Sequence, residues 1–186
     1  MKAVRTSAFR LRRRDLLATV LAPVMASTLV NAQSAVRTRP VSTAHFRVGV
    51  PEKDWRLLPA GLNTLGSIVH KDGAAAIVIE HELLQIALRP EEVDATFVEF
   101  ELATIKERET TGTGFTSRID PGGRRRAVVD FQRGGRDGAE QVRVFVVVEG
   151  KHLYRLVCVA PVSQFARQTP VFQAVCDSFA PIVKPA

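Results

Sequence analysis

Only two cysteines, one tryptophan, one tyrosine and two methionines occur in 186 residues. Neither cysteine has a histidine at a spacing that suggests thiol activation. No G-x-x-x-x-G-K-[ST] phosphate loop and no G-x-S-x-G nucleophile elbow is present, so the backbone cradle of a P-loop enzyme and the exposed serine of an α/β-hydrolase are both missing. There is no low-complexity tract and no internal repeat, and with 12 Gly and 10 Pro the composition excludes a collagen-like or wholly disordered chain. Mean hydropathy is near neutral, at +0.04, which excludes a protein that crosses a membrane many times. What is present is 46% hydrophobic against 24% charged residues, enough for one globular domain and too little for two.

Excess charge of one sign is also scarcer than it first looks. The formal net charge is +7, but Lys2, Arg5, Arg10, Arg12, Arg13 and Arg14 stand against Asp15 alone within residues 1–32, so that stretch carries +5 of it. The remaining +2 gives no footprint for a phosphate backbone, and nucleic acid is excluded as a partner.

Residues 1–32 have the order of an export signal: a basic start, an uncharged and mostly apolar run from Leu16 to Val30, and Val30-Asn31-Ala32 before Gln33. Arg13-Arg14-Asp15-Leu16-Leu17 resembles the twin-arginine pattern, and a Sec signal with a basic start fits the same residues. The apolar run is shorter than a membrane span and contains Pro23. Cleavage would leave no transmembrane anchor, and the expected location is periplasmic or secreted. Cys158 and Cys176 both lie in the exported part, where they form either a disulfide or two buried thiols.

After the signal, residues 33–44 are polar, contain Pro40 and lack periodicity, which predicts a flexible leader; a single domain is expected over 45–186. Phe46, Val48 and Val50 alternate as in a half-buried strand that Pro51 ends. Further strands are predicted at 55–58, 67–70 and 75–81, the last two around the turn signal Asp72-Gly73. Pro90-Glu91-Glu92 reads as a helix start, with apolar spacing to about Arg108. Strands follow at 115–119, 126–132 and 140–149, the last with Val142, Val144, Val146 and Val148 on one face. Glu149-Gly150-Lys151 then turns the chain into a strand at 152–160, and Phe172, Val175, Cys176 and Phe179 give the core stripe of a closing helix. The order predicts an α+β fold, a mostly antiparallel sheet with helices packed on it. Val144, Val146, Tyr154, Leu156, Phe172 and Phe179 are expected to form one cluster.

Candidate chemistry is sparse. His81-Glu82-Leu83-Leu84-Gln85 has Gln where the zinc protease motif H-E-x-x-H needs its second imidazole. Gly112-Thr113-Gly114 opens like a dinucleotide fingerprint, but Ser117 occupies the place of the third glycine. His45, His70, His81 and His152 are isolated in sequence, and any two could meet across a sheet to hold a metal. Glu80 and Glu82 share one strand face. No catalytic, cofactor or metal site is assigned. Arg124, Arg125 and Arg126 form the densest charge cluster of the exported part and are a candidate partner site, with a locally neutralised solvated turn as the alternative.

Phe46-Arg47-Val48-Gly49-Val50-Pro51-Glu52-Lys53-Asp54-Trp55, Gly150-Lys151-His152-Leu153-Tyr154-Arg155-Leu156 and the close at Ser178-Phe179 resemble the PsbP-like superfamily, the type of the photosystem extrinsic subunit. The resemblance implies an α/β/α sandwich and non-enzymatic work, since such proteins serve as assembly factors, extrinsic subunits or regulators of a GTPase. The export signal and the single tyrosine depart from the photosynthetic type. The function expected is an exported binding or assembly-type protein whose partner is another exported or membrane-associated protein. The alternative is a hydrolase or metal-dependent enzyme of the same compartment.

Overall fold

The computed structural model describes residues 36–61, 64–120 and 126–182; the export signal and Arg124 and Arg125 lie outside them. The alternation at Phe46, Val48 and Val50 produces β2 (Phe46–Pro51), whose three apolar side chains are buried. The expected leader is corrected in part: Thr38–Ser42 forms a strand, β1, antiparallel to β2 with Val41 opposite Val48. Its sequence gives little sign of this because β1 is a sheet edge, where exposed residues and a proline such as Pro40 are tolerated. A two-residue β9 (Ala180–Pro181) pairs with the other side of β2, giving a small sheet in the order β1-β2-β9. Gly49 lets this sheet approach the closing helix. Its amide donates to Ser178 Oγ at 2.8 Å, and a Cβ there would lie 3.0 Å from that Oγ and 2.7 Å from Thr38 Oγ1 of β1.

The main sheet is antiparallel throughout. It consists of β3 (Trp55–Leu58), β4 (Gly66–His70), β5 (Ala76–Leu88), β6 (Thr113–Asp120), β7 (Arg126–Gly135) and β8 (Gly138–Pro161), in the order β3-β4-β5-β8-β7-β6. β8 runs for 24 residues, which fully extended would be about 80 Å, about twice the width of a domain of this size. Its first arm pairs with β7 and its second with β5. The residues facing the same core switch from even (Val142, Val144, Val146, Val148) to odd (Leu153, Val157, Val159) across Gly150, whose φ is +60°. The chain doubles back there, as Glu149-Gly150-Lys151 predicts, because glycine adopts the left-handed conformation without a Cβ clash.

Two helices cover opposite faces. α1 (Ala95–Arg108) is capped by Asp94, whose side chain accepts from the Phe97 amide at 2.9 Å, and ends in Lys106 and Arg108 at the negative pole of its dipole. The predicted start at Pro90 belongs instead to a separate 3-10 turn, Pro90–Glu92, closed by Glu92 accepting from the Arg89 amide at 2.7 Å. α2 (Val162–Ser178) buries Phe165, Phe172, Val175 and Cys176. The α2 face of the sheet, together with β2, forms one core containing Phe145, Val147, Tyr154, Leu156, Phe172 and Phe179. The α1 face forms a second around Val98, Ile105, Phe131, Val142, Val144 and Val146. The single cluster expected is therefore two: Val144 and Val146 point away from Phe172, because alternate residues of a strand face opposite sides. The architecture is the expected α+β sandwich.

Candidate functional site

On β5 and the second arm of β8, Ile77, Ile79 and Leu156 carry the α2-side core toward one end of the sheet. Two residues farther along β5, His81 stands opposite Tyr154, and Leu83 stands opposite His152. These four side chains share the core's face by strand periodicity; Tyr154 is still buried in the core, whereas His81 and Leu83 are exposed. A chain of ring contacts extends the core: Phe46 and Phe179 are 5.6 Å apart, Phe179 meets Tyr154 edge-on at 5.4 Å, Tyr154 and His81 are 5.0 Å apart, and His81 stacks on His152 at 5.2 Å. The chain of rings ends at a recess of about 240 Å³ lined by Ala44, His45, Leu65, His81, His152, Tyr154 and Ile182. The small sheet closes one wall, where the Ile182 amide donates to the His45 carbonyl at 2.8 Å.

Within the recess His81 Nε2 and His152 Nδ1 are 2.9 Å apart, so one imidazole donates to the other. Burial, reinforced by the nearness of His152 and His45, holds His81 below the usual histidine range and favours its neutral form. Burial pushes the Tyr154 hydroxyl up, with Glu149 acting in the same direction, so Tyr154 stays protonated. His70 takes no part; it contacts Asp72 at the β4–β5 turn and packs edge-on against Trp55. Among the described residues no group of three or more His, Cys, Asp or Glu is arranged to hold a metal ion. The histidines were visible in the sequence, but the strand register that pairs two of them was not.

The recess borders an open strand edge. β4 pairs with β5 only from Ala76 to Ile79, and β5 runs on to Leu88. From Glu80 onward no described strand pairs with that side of β5, and the ladder to β8 also shifts register between Leu83 and Leu88. Leu83 and Ile86, 65% and 68% exposed, lie on this stretch.

A second cavity, about 140 Å³, lies beside α1 over an apolar floor that includes Val78, Ile105, Phe131 and Val144. Its charged rim is satisfied internally. Arg108 pairs with Glu80 at 2.9 Å, Arg133 with Glu109 at 3.0 Å and Glu140 at 3.1 Å, and Arg155 with Glu82 at 2.6 Å. Arg155 also makes two hydrogen bonds to the fully buried Glu101, at 2.9 and 3.0 Å. The carboxylates Glu80 and Glu82, which share a strand face, are thus each held by an arginine and do not act as a free pair.

Of the arginine cluster, the described member Arg126 is not solvated. It is 2% exposed, donates to Asp120 Oδ2 at 2.9 and 2.7 Å and to Asp177, and lies 5.0 Å over the Phe145 ring. It ties the end of β6 to the start of β7 and the end of α2. Cys158 and Cys176 are brought together, buried and unbonded, with sulfurs 4.0 Å apart. Burial, and the neighbouring Cys176, push the Cys158 thiol well up, which makes it a poor nucleophile.

A scan against family models finds no match, and a search of curated proteins by sequence finds none either. Solved structures do match. The cyanobacterial PsbP (CyanoP) of Synechocystis sp. PCC 6803 superposes with a TM-score of 0.55 at 9% identity, over 81% of this chain and 96% of that one. Mog1p, a Ran-binding protein of Saccharomyces cerevisiae, gives 0.54 at 11% identity over 78% and 95%. LpqN of Mycobacterium tuberculosis, involved in cell envelope biogenesis, gives 0.51 at 16% identity over 78% and 90%. The fold is the PsbP-like one. At such identities the likeness concerns the fold, and function must be argued from the site.

Proposed function

We propose that this chain is an exported, non-enzymatic binding or assembly-type protein that docks an extended segment of another exported or membrane-associated protein along β5, beside the histidine recess. The open β5 edge carries this reading. An unpaired strand edge presents a row of amide and carbonyl groups that a second strand can satisfy, and the flanking Leu83 and Ile86 offer apolar contacts for alternate side chains. Export is supported by the order of residues 1–32, and no helix among the described residues is long and apolar enough to cross a membrane. A binding role is supported by the likeness in fold to Mog1p, a Ran-binding protein.

A photo-crosslinking amino acid at Ile86 in the full chain, expressed in the native host, tests the proposal. A discrete, stoichiometric protein adduct is expected, and Leu83→Asp should abolish it while the exposed Phe100→Asp on α1 leaves it intact. The reading fails if both variants behave alike, or if the purified protein turns over members of a substrate panel.

A further inference from the structure

We propose that His81 and His152 bind a divalent transition-metal ion of the copper(II) class in the recess. This inference rests on imidazole geometry and stands or falls independently of the docking at β5. The two side chains project from adjacent strands of one hydrogen-bonded ladder, His81 opposite Tyr154 and His152 opposite Leu83, so the sheet fixes the spacing of their backbones. Their facing nitrogens, Nε2 and Nδ1, are 2.9 Å apart. Nitrogens this close lie within reach of one ion at metal–nitrogen bonds of about 2.0–2.1 Å once the rings turn toward it. Imidazole suits Cu(II) and Ni(II), whose tetragonal coordination accepts two neighbouring nitrogens and leaves its other positions to water. Copper(II) binds nitrogen sites most tightly among the first-row divalent ions.

No third His, Cys, Asp or Glu completes the set among the described residues. The other coordination positions open on the recess of about 240 Å³, which has room for water or for a donor from a bound molecule. In the metal-free protein one facing nitrogen carries the hydrogen that the other accepts. On binding, that hydrogen moves to the far nitrogen of the same ring, each ring turns about its Cβ–Cγ bond toward the ion, and both facing nitrogens supply lone pairs. Two neutral imidazoles then bind the ion with no net loss of a proton.

Titration of the full chain with Cu(II) alone, followed by calorimetry and electron paramagnetic resonance, tests the site. One ion per chain is expected, with spectral coupling to two imidazole nitrogens. His81→Gln and His152→Gln should each weaken binding by at least about tenfold, and the double variant should resemble either single one, because the two rings serve one ion. His70→Gln, at the β4–β5 turn, should bind as the parent does. Circular dichroism confirms that the variants fold; both histidines sit at the recess and not within the core. Undiminished binding in the folded His81 and His152 variants, or a spectrum lacking two coupled imidazoles, overturns the proposal. Crosslinking at Ile86 that persists in a chelator would leave the docking reading intact when the metal site fails.

Discussion

Arg126 and Glu101 are both ionisable and both buried, and each ties elements together. Arg126 gathers Asp120 and Asp177 while its plane covers Phe145. Burial works against its charge, and the two carboxylates more than offset that. Replacing Arg126 with Gln should cost about 2–3 kcal/mol in denaturant unfolding, somewhat below the usual loss for a broken buried pair because Asp177 retains access to water. A loss under about 0.5 kcal/mol would mean that Arg126 behaves as an ordinary surface residue. Glu101 titrates above the ordinary glutamate value of 4.5 because it is buried; Arg155 pulls the other way but divides its charge between Glu101 and Glu82. Folded Glu101 therefore holds its proton more tightly than unfolded Glu101. The stabilisation from this group is present below pH 4.5 and is lost as pH rises through the folded value. Glu101→Gln, which cannot ionise, should gain stability relative to the parent as pH is raised from about 4 to 7. Thermal unfolding across that range checks the sign, and a relative loss would show that Arg155 controls the pair.

The recess is positioned by β5, the doubled-back β8 and the residues flanking β2 and β9, while α2 holds the core behind it. β8 depends on Gly150, whose φ of +60° is left-handed although nothing lies within 4 Å of an added Cβ. Gly150→Ala should therefore cost about 1–2 kcal/mol through backbone strain alone, and Gly150→Asn less, because asparagine tolerates that region. Equal stability of the alanine variant would place the reversal elsewhere. α2 is held by Phe172, fully buried against Trp55 at 6.3 Å and Phe165 at 5.5 Å. Phe172→Ala should lose about 3–5 kcal/mol, the range for a buried phenylalanine. A loss near that of an exposed residue would detach α2 from the core. The helix stripe and the Val ladder were both legible as periodicities. That they serve opposite faces was not, since periodicity reports which residues of an element share a side and not which partner covers that side.

At the scale of the whole molecule, the proposed place of work depends on residues 1–32. Changing Arg13 and Arg14 to Lys should leave the precursor in the cytoplasm if the route is twin-arginine, since lysine does not reproduce the guanidinium fork. Undiminished export would assign the signal to the Sec route. Intact mass of the exported protein should place Gln33 first, and a deficit of two hydrogens would report closure of Cys158 and Cys176, whose sulfurs face each other at 4.0 Å in the reduced form. Full retention of Met1 would rule out cleavage.

Local patterns determined the fold class and most of the elements, because alternation, helical spacing and turn residues are properties of neighbours in the chain. The tertiary structure decided what those patterns could not reach. It made a strand of Thr38–Ser42 by supplying a partner in β2. It separated Val144 and Phe172 into different cores. It buried Arg126, although its run of arginines reads as a surface turn. The histidine recess belongs to the same class: His81 and His152 are 71 positions apart, and only the register of β5 against β8 brings their nitrogens within 2.9 Å. Register is fixed by the sum of all cross-strand contacts, so no local reading of either histidine contains it.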